Sequence, residues 1–190
     1  MVVRRATILD GGLDDALDTT KAREIVKETL RSGGWEVETY RPAVLNIAPC
    51  QGCFDCWIRT PGVCVLDDAG RDIARSVIRS DLAVLVTPVT FGGYSSALKR
   101  AVDRWIPLIL PYFTFVGSEI HHIRRYDRYP RLLGIGLLER ENPAYESTFA
   151  RLVYRNAINL HAPSVEAGVI VVGAPSERDD IVALLTEVTE

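Results

Sequence analysis

The stretch Ala83-Val-Leu-Val-Thr-Pro-Val-Thr-Phe-Gly-Gly-Tyr-Ser-Ser-Ala-Leu-Lys-Arg-Ala-Val-Asp-Arg-Trp105 reads as a buried strand, a tight turn and a helix. Ala83 to Thr87 is a short, uninterrupted apolar run, the pattern of a strand covered on both faces. Pro88 stiffens the chain after it, Gly92 and Gly93 permit close backbone approach, and Ser95 or Ser96 is placed to cap a helix. Ala97, Leu98, Ala101, Val102 and Trp105 then recur at intervals of three and four, one face of that helix.

The same alternation extends in both directions. β-rich runs fall at Arg5 to Asp10, Trp35 to Tyr40, Leu132 to Leu138 and Ser164 to Val172. Helical spacing follows them at Ala22, Ile25, Val26 and Leu30; at Ile73, Ala74, Val77 and Ile78; at Phe149, Leu152, Val153, Ala157 and Leu160; and at Ile181, Val182, Leu184, Leu185 and Val188. Strand-helix alternation implies parallel strands joined by right-handed crossovers, with helices on both faces. The expected fold is an α/β, flavodoxin-like three-layer sandwich on a five-stranded parallel sheet of order 2-1-3-4-5, forming one domain over residues 1–190. In such a sheet a ligand sits outside the carboxyl ends of the strands where the winding reverses, which selects residues 10–20 and 88–95. The connection from Pro107 to Arg131 is long and aromatic and reads as a functional or interface-forming loop. Within it His121 and His122, beside Arg124, Arg125 and Arg128, could bind a nucleotide phosphate or lie in a solvated or interface loop.

Bulk properties narrow the partners. The chain has 22 basic and 25 acidic residues and a net charge of -3, with no basic stripe suited to a nucleic acid. The longest apolar stretch, Trp105 to Gly117, is broken by Pro107 and Pro111 and falls short of the roughly 20 residues that cross a bilayer. Only Ala6 to Leu9 separate Arg4 and Arg5 from Asp10, too short for a signal-peptide core, so a cytoplasmic location is expected.

Cys50, Cys53, Cys56 and Cys64 crowd into one window spaced C-x2-C-x2-C-x7-C, whereas a disulfide framework would spread them. Short gaps can turn thiolates toward one point. The set suits a cubane iron-sulfur cluster, zinc, or thiols that stay free or form disulfides. After the third strand, the backbone amides of the turn could hydrogen-bond the polar edge of a flat heterocycle bordered by Phe91 or Tyr94; the simpler reading is a well-made loop with a serine cap.

Cys50, Gly52, Cys53, Cys56, Pro61, Gly62, Cys64, Asp67 and Asp68, followed by Thr87, Pro88, Val89, Phe91, Leu98, Lys99, Asp103 and Arg104, resemble the NADPH-dependent FMN reductase and iron-sulfur flavoprotein family. The resemblance implies FMN, with the isoalloxazine ring on the backbone of Pro88 to Gly92. It extends the cofactor set to Gly11, Gly12, Thr19, Thr20, Pro88, Val89, Thr90, Phe91, Gly92 and Tyr94. It also implies a 4Fe-4S cluster on Cys50, Cys53, Cys56 and Cys64, NAD(P)H as donor, a small-molecule or protein electron acceptor, and a homodimer or homotetramer. Lys99, Asp103 and Arg104 share helical spacing and read as surface pairs. The first loop departs from the family pattern: Gly12 stands where a serine is usual, Asp14 at the basic position, and Asp14, Asp15 and Asp18 add negative charge. Thr19 and Thr20 would remain to receive a phosphate at a helix N-terminus. Thr90 stands where relatives often carry tyrosine. The expected activity is FMN-dependent NAD(P)H oxidoreduction or electron transfer with no dedicated catalytic side chain, since the flavin carries the chemistry. The acidic loop favours one alternative, a degenerate binding or thiol-sensing protein without flavin.

Overall fold

All seven residues of β3 (Leu82–Pro88) are buried, and this strand is the middle of the sheet. The computed structural model describes residues 3–13 and 17–190. β3 pairs in parallel with β1 (Arg4–Asp10) on one side and β6 (Arg131–Leu138) on the other. β2 (Trp35–Tyr40) and β7 (Val165–Val171) complete the sheet in the order β2-β1-β3-β6-β7. With the hairpin strands set aside, that is the expected 2-1-3-4-5 order.

The period of two along β3 divides the core. Leu82, Val84 and Val86 face α1 (Thr20–Ser32) and α6 (Glu177–Thr189), where Ala22, Val26, Leu30, Ile181 and Leu185 pack on them. Ala83 and Leu85 face α3 (Ala69–Arg79), α4 (Ser96–Val102) and α5 (Pro143–Leu160), meeting Ile73, Val77, Leu98, Phe149 and Val153. Burial on both faces is why these strands carry little polar alternation.

Two elements differ from the sequence reading. The Pro107 to Arg131 connection is not an irregular loop. It holds an antiparallel hairpin, β4 (Ile109–Val116) and β5 (Glu119–Arg124), pairing Phe113 with His122 and Phe115 with Ile120. Aromatic and β-branched residues favour extended chain, and Gly117 at φ 62° supplies the left-handed turn residue. Between β2 and α3 the cysteine segment contains a one-turn helix, α2 (Asp55–Ile58). Beyond α4 the chain continues as a 3-10 turn over Asp103–Leu108. Among the described residues no helix is long and apolar enough to cross a membrane.

Candidate functional site

The turn after β3 is closed by its own backbone. Val89 N–H donates to Leu137 O at 2.9 Å, Thr90 N–H to Gly93 O at 3.0 Å, and Gly93 N–H to Thr90 O at 2.9 Å. Phe91 (φ 51°) and Gly92 (φ 80°) occupy the two central positions, both left-handed, as a two-residue turn of this hand requires. A Cβ on Gly92 would lie 2.8 Å from Thr148 Cβ, so that position must be glycine. Phe91 tolerates the strained backbone while its ring stands 86% exposed. Among the described residues the amides of Phe91 and Gly92 have no hydrogen-bond partner within the chain. Ser95, rather than Ser96, caps α4: its Oγ accepts from Leu98 N–H at 3.2 Å and donates to Gly11 O at 2.6 Å, stitching this turn to the first loop.

The residues expected on the ring divide between surface and core. Thr90, Phe91 and Gly92 form the turn, with Thr90 and Phe91 exposed, whereas Pro88 and Val89 end the sheet and are buried. Tyr94 is not a ring border. It is buried edge-on against Phe149, centroids 5.9 Å apart, and its hydroxyl accepts from Asn156 Nδ2 at 3.0 Å. Burial pushes its phenol up to about 12.

The first loop is organised by a residue that the sequence reading passed over, Asp10. This carboxylate is fully buried at the end of β1. Oδ1 accepts from Gly12 N–H at 2.9 Å and from Thr19 Oγ1 at 2.5 Å. Oδ2 accepts from Arg23 Nη1 at 2.6 Å, with Arg41 Nε at 3.6 Å. Thr20 N–H, the first amide of α1, donates to Asp18 Oδ1 at 2.8 Å, and that bond chiefly holds the Asp18 carboxyl below its usual range. Gly12 is required by packing, since a Cβ there would sit 2.3 Å from Thr19 Oγ1. Thr19 and Thr20 are therefore not free to receive a phosphate as expected: the Thr19 hydroxyl and the Thr20 amide already serve carboxylates of the chain. Asp14 and Asp15 lie outside the described residues. A like-charge pair at about 4 Å costs on the order of 1 kcal/mol in water and about 4 kcal/mol near a protein surface. The turn after β3 offers the Phe91 and Gly92 amides to the edge of a flavin ring; in the described part of the first loop the Thr19 hydroxyl and the Thr20 amide are engaged, while the Lys21 and Ala22 amides of α1 are not.

Cys50, Cys53, Cys56 and Cys64 line one cavity. Gly52 (φ 64°) and Phe54 (φ 59°) are left-handed and bend the chain so that all four thiols line one cavity of about 150 Å³. No disulfide joins them; Cys50 and Cys53 are exposed and Cys56 is buried. Burial, reinforced by the neighbouring Cys64, Cys50 and Cys53, pushes the Cys56 thiol up to about 11. Among the described residues no three of the Cys, His, Asp or Glu side chains converge to metal-binding spacing, so the thiols share the cavity without closing into a cage. Their number and softness suit a thiolate-held iron-sulfur cluster or zinc after side-chain rotation.

Arg104 is the other residue that the sequence misplaced. Lys99 and Asp103 do form a surface pair at 2.5 Å, but Arg104 is buried beside the cysteine cavity. Its Nη1 donates to Asp68 Oδ2 at 2.9 Å and to Ala48 O at 2.7 Å, its Nη2 to Leu66 O at 3.1 Å, and its buried Nε has no partner among the described residues. Burial opposes its charge, yet bonding to Asp68 and the adjacent Cys64 raises it above the usual arginine value. A fixed cation thus stands beside the thiols. α4 and its 3-10 extension lead from the turn after β3 to this cavity, roughly 10 Å along the helix.

The two hairpin histidines differ, since His121 is fully engaged whereas the buried Nδ1 of His122 has no partner among the described residues. Both ring nitrogens of His121 are engaged, Nδ1 with Asn159 Oδ1 at 2.9 Å and Nε2 with Glu119 Oε2 at 2.8 Å, which leaves none for a nucleotide phosphate. His122 lies between Phe113 and Trp57, at 4.6 and 4.9 Å, and Trp57 stacks on Phe54 at 5.2 Å. This row of rings fastens the cysteine segment to the hairpin.

The sequence pattern of NADPH-dependent FMN reductases matches residues 5–113, more than half of the chain, including the first loop, the cysteine segment and the turn after β3. The chain belongs to this family. Two similar proteins are iron-sulfur flavoproteins, from Archaeoglobus fulgidus (29% identical over 90 residues, covering 47% of this chain and 40% of that one) and from Methanosarcina thermophila (32% over 87 residues, 46% and 42%). The match thus spans less than half the length of either relative. Among solved structures, an NAD(P)H:quinone oxidoreductase from Methanothermobacter marburgensis superposes with a TM-score of 0.68 at 15% identity, covering 97% of this family member and 95% of that chain. An azoreductase from Bacillus anthracis gives 0.64 at 12% identity, with coverage of 98% and 97%. At these identities the two structures establish the shared flavodoxin-like fold.

Proposed function

We propose that this chain is a single-domain, FMN-dependent NAD(P)H oxidoreductase whose isoalloxazine ring rests on the turn Thr90 to Gly93. The observation that carries this reading is the pair of unpartnered amides at exposed Phe91 and at Gly92, which is buried against Thr148, at the carboxyl end of the central strand. Such a site lies where ligands bind in sheets of this winding. Flavin held there supplies hydride acceptance and single-electron release. The Phe91 and Gly92 amides would hold the polar edge of the ring and the Phe91 side chain would border it, while Ser95 ties the turn to Gly11. The donor is NAD(P)H and the acceptor a small molecule or protein.

Cys50, Cys53, Cys56 and Cys64 hold an iron-sulfur cluster in this account, supported by their common cavity and by the named relatives. Arg104 offsets the negative charge of the thiolates. The hairpin, with Tyr112, Phe113, Phe115 and Ile120 each at least 65% exposed, is the face through which the chain would form a homodimer or homotetramer. A thiol-sensing protein without flavin is the second reading, favoured by the closed first loop. Anaerobic purification, followed by an absorption spectrum and flavin, iron and sulfide assays on one sample, separates them. Flavin bands with an iron-sulfur shoulder are expected; a colourless protein that takes up neither cofactor on reconstitution leaves the second reading.

A further inference from the structure

We infer that the cleft between the 3-10 extension of α4 and α5 is a binding site for a small neutral carboxamide or lactam, separate from the flavin turn. Val102, Ile106, Ile109 and Leu160 give this cavity of about 360 Å³ an apolar wall. Three polar side chains interrupt it. The indole of Trp105 is 6% exposed, and its buried Nε1 has no acceptor among the described residues. An indole N–H can only donate, and nearly every buried donor in a folded chain is paired. Asn156 and Asn159 line the same cavity with one end of each amide occupied. Asn156 Nδ2 donates to Tyr94 Oη at 3.0 Å, and Asn159 Oδ1 meets His121 Nδ1 at 2.9 Å. That leaves Asn156 Oδ1 as an acceptor and Asn159 Nδ2 as a donor without partners among the described residues.

Two donors and one acceptor are the complement of a single amide group, whose carbonyl oxygen has two lone pairs and whose nitrogen carries a proton. A ketone or ester would satisfy the donors and leave Asn156 Oδ1 facing a group that cannot donate. A carboxylate would find no cation on the wall, where Asp103 is the one charged side chain among the described residues and is already paired with Lys99. The volume lies in the range of small-molecule sites and admits a one- or two-ring body beside the amide. The cleft adjoins both centres described above: Asn156 reaches Tyr94, two positions beyond Gly92, and Cys50 also lines the cysteine cavity. It needs neither centre to be loaded, so it stands or falls apart from the flavin reading.

The test is calorimetric titration of the whole chain, as purified, with benzamide, methyl benzoate and benzoate. Benzamide should bind with a dissociation constant of about 1 mM or below, the ester about tenfold more weakly, and benzoate without detectable heat. Trp105→Phe keeps a ring in place but removes the N–H, and should weaken benzamide about tenfold. Ile106→Trp, which fills the cleft and leaves Trp105 intact, should abolish binding. Thermal denaturation checks the variants: both should melt cooperatively without ligand, and benzamide should raise the midpoint of the unaltered chain more than that of either. Benzamide that gives no saturable heat up to about 20 mM leaves the cleft to water and overturns the assignment. Equal affinity for the three compounds, or binding undiminished in both variants, overturns it as well.

Discussion

Arg104 Nη1 lies 2.9 Å from Asp68 Oδ2, and with the two side chains 1% and 6% exposed this is a buried ion pair joining the end of α4 to the segment that follows the cysteines. The same guanidinium holds Ala48 O and Leu66 O, so one side chain fixes both flanks of the cysteine loop. Removing one member of such a pair leaves the other charged and unpaired. Arg104→Ala should cost about 3–5 kcal/mol in urea denaturation, and Arg104→Lys should recover less than half of that because a single ammonium cannot span three acceptors. A loss typical of an exposed ion pair, below about 1 kcal/mol, would contradict the arrangement.

Acid should act through Asp68. Burial opposes its charge, but hydrogen bonds from Arg104, Ala48 and Gly70 outweigh that and hold it below its ordinary value of 3.8. Because the folded value is lowered, this contribution to stability is present above about pH 4 and is lost as pH falls through the lower folded value. Denaturation midpoints between about pH 5 and pH 2 should fall less steeply for Asp68→Asn than for the unaltered chain. Parallel curves would show that Asp68 carries no such linkage.

The thiols should divide by exposure. At mildly alkaline pH, iodoacetamide followed by mass spectrometry should label the exposed Cys50 and Cys53 well before the buried Cys56. Cys56, raised from an ordinary 9.0 to about 11, keeps its proton in the folded state while the unfolded chain loses it. Stability should therefore decline as pH rises from 9 toward 11. Replacement by serine should flatten that decline. Equal labelling of all three cysteines would place Cys56 at the surface.

Phe91 and Tyr94, three residues apart, should separate cleanly on substitution. Phe91→Ala removes an exposed ring and should weaken flavin binding about tenfold with little change in stability. Tyr94→Phe deletes a buried hydrogen bond to Asn156 and should cost about 1 kcal/mol of stability while leaving flavin affinity unchanged. The reverse pattern would mean that the ring lies on the core side of the turn.

The sheet was legible because burial on both faces writes itself as uninterrupted apolar runs, and β3 together with its turn could be read almost residue by residue. Tyr94 was misread because a turn aromatic followed by serines looks exposed in sequence, and only the packing of α5 brings Phe149 and Asn156 against it. Arg104 looked like a surface partner of Lys99 because helical spacing says nothing about Asp68, 36 positions away and reached only through tertiary folding. The hairpin was hidden by Pro107 and Pro111, which interrupt its run, although Gly117 between two β-prone runs was a usable signal. Asp10 could have been noticed as a carboxylate ending an apolar strand just before Gly11 and Gly12. Its partners come from two separate stretches, Thr19 and Arg23 at the start of α1 and Arg41 just after β2, and are joined to it only by the fold.

Reduction of bound flavin by a nicotinamide donor is the central property to measure in this chain. Protein loaded with FMN, freed of excess by rapid gel filtration under argon, would be mixed with NADPH or NADH and followed at the long-wavelength flavin band. Bleaching faster than that of the same flavin free in solution, and slowed in Phe91→Ala, is the result the account requires. Flavin that leaves the protein entirely, or that stays bound and oxidised with either donor, would contradict it.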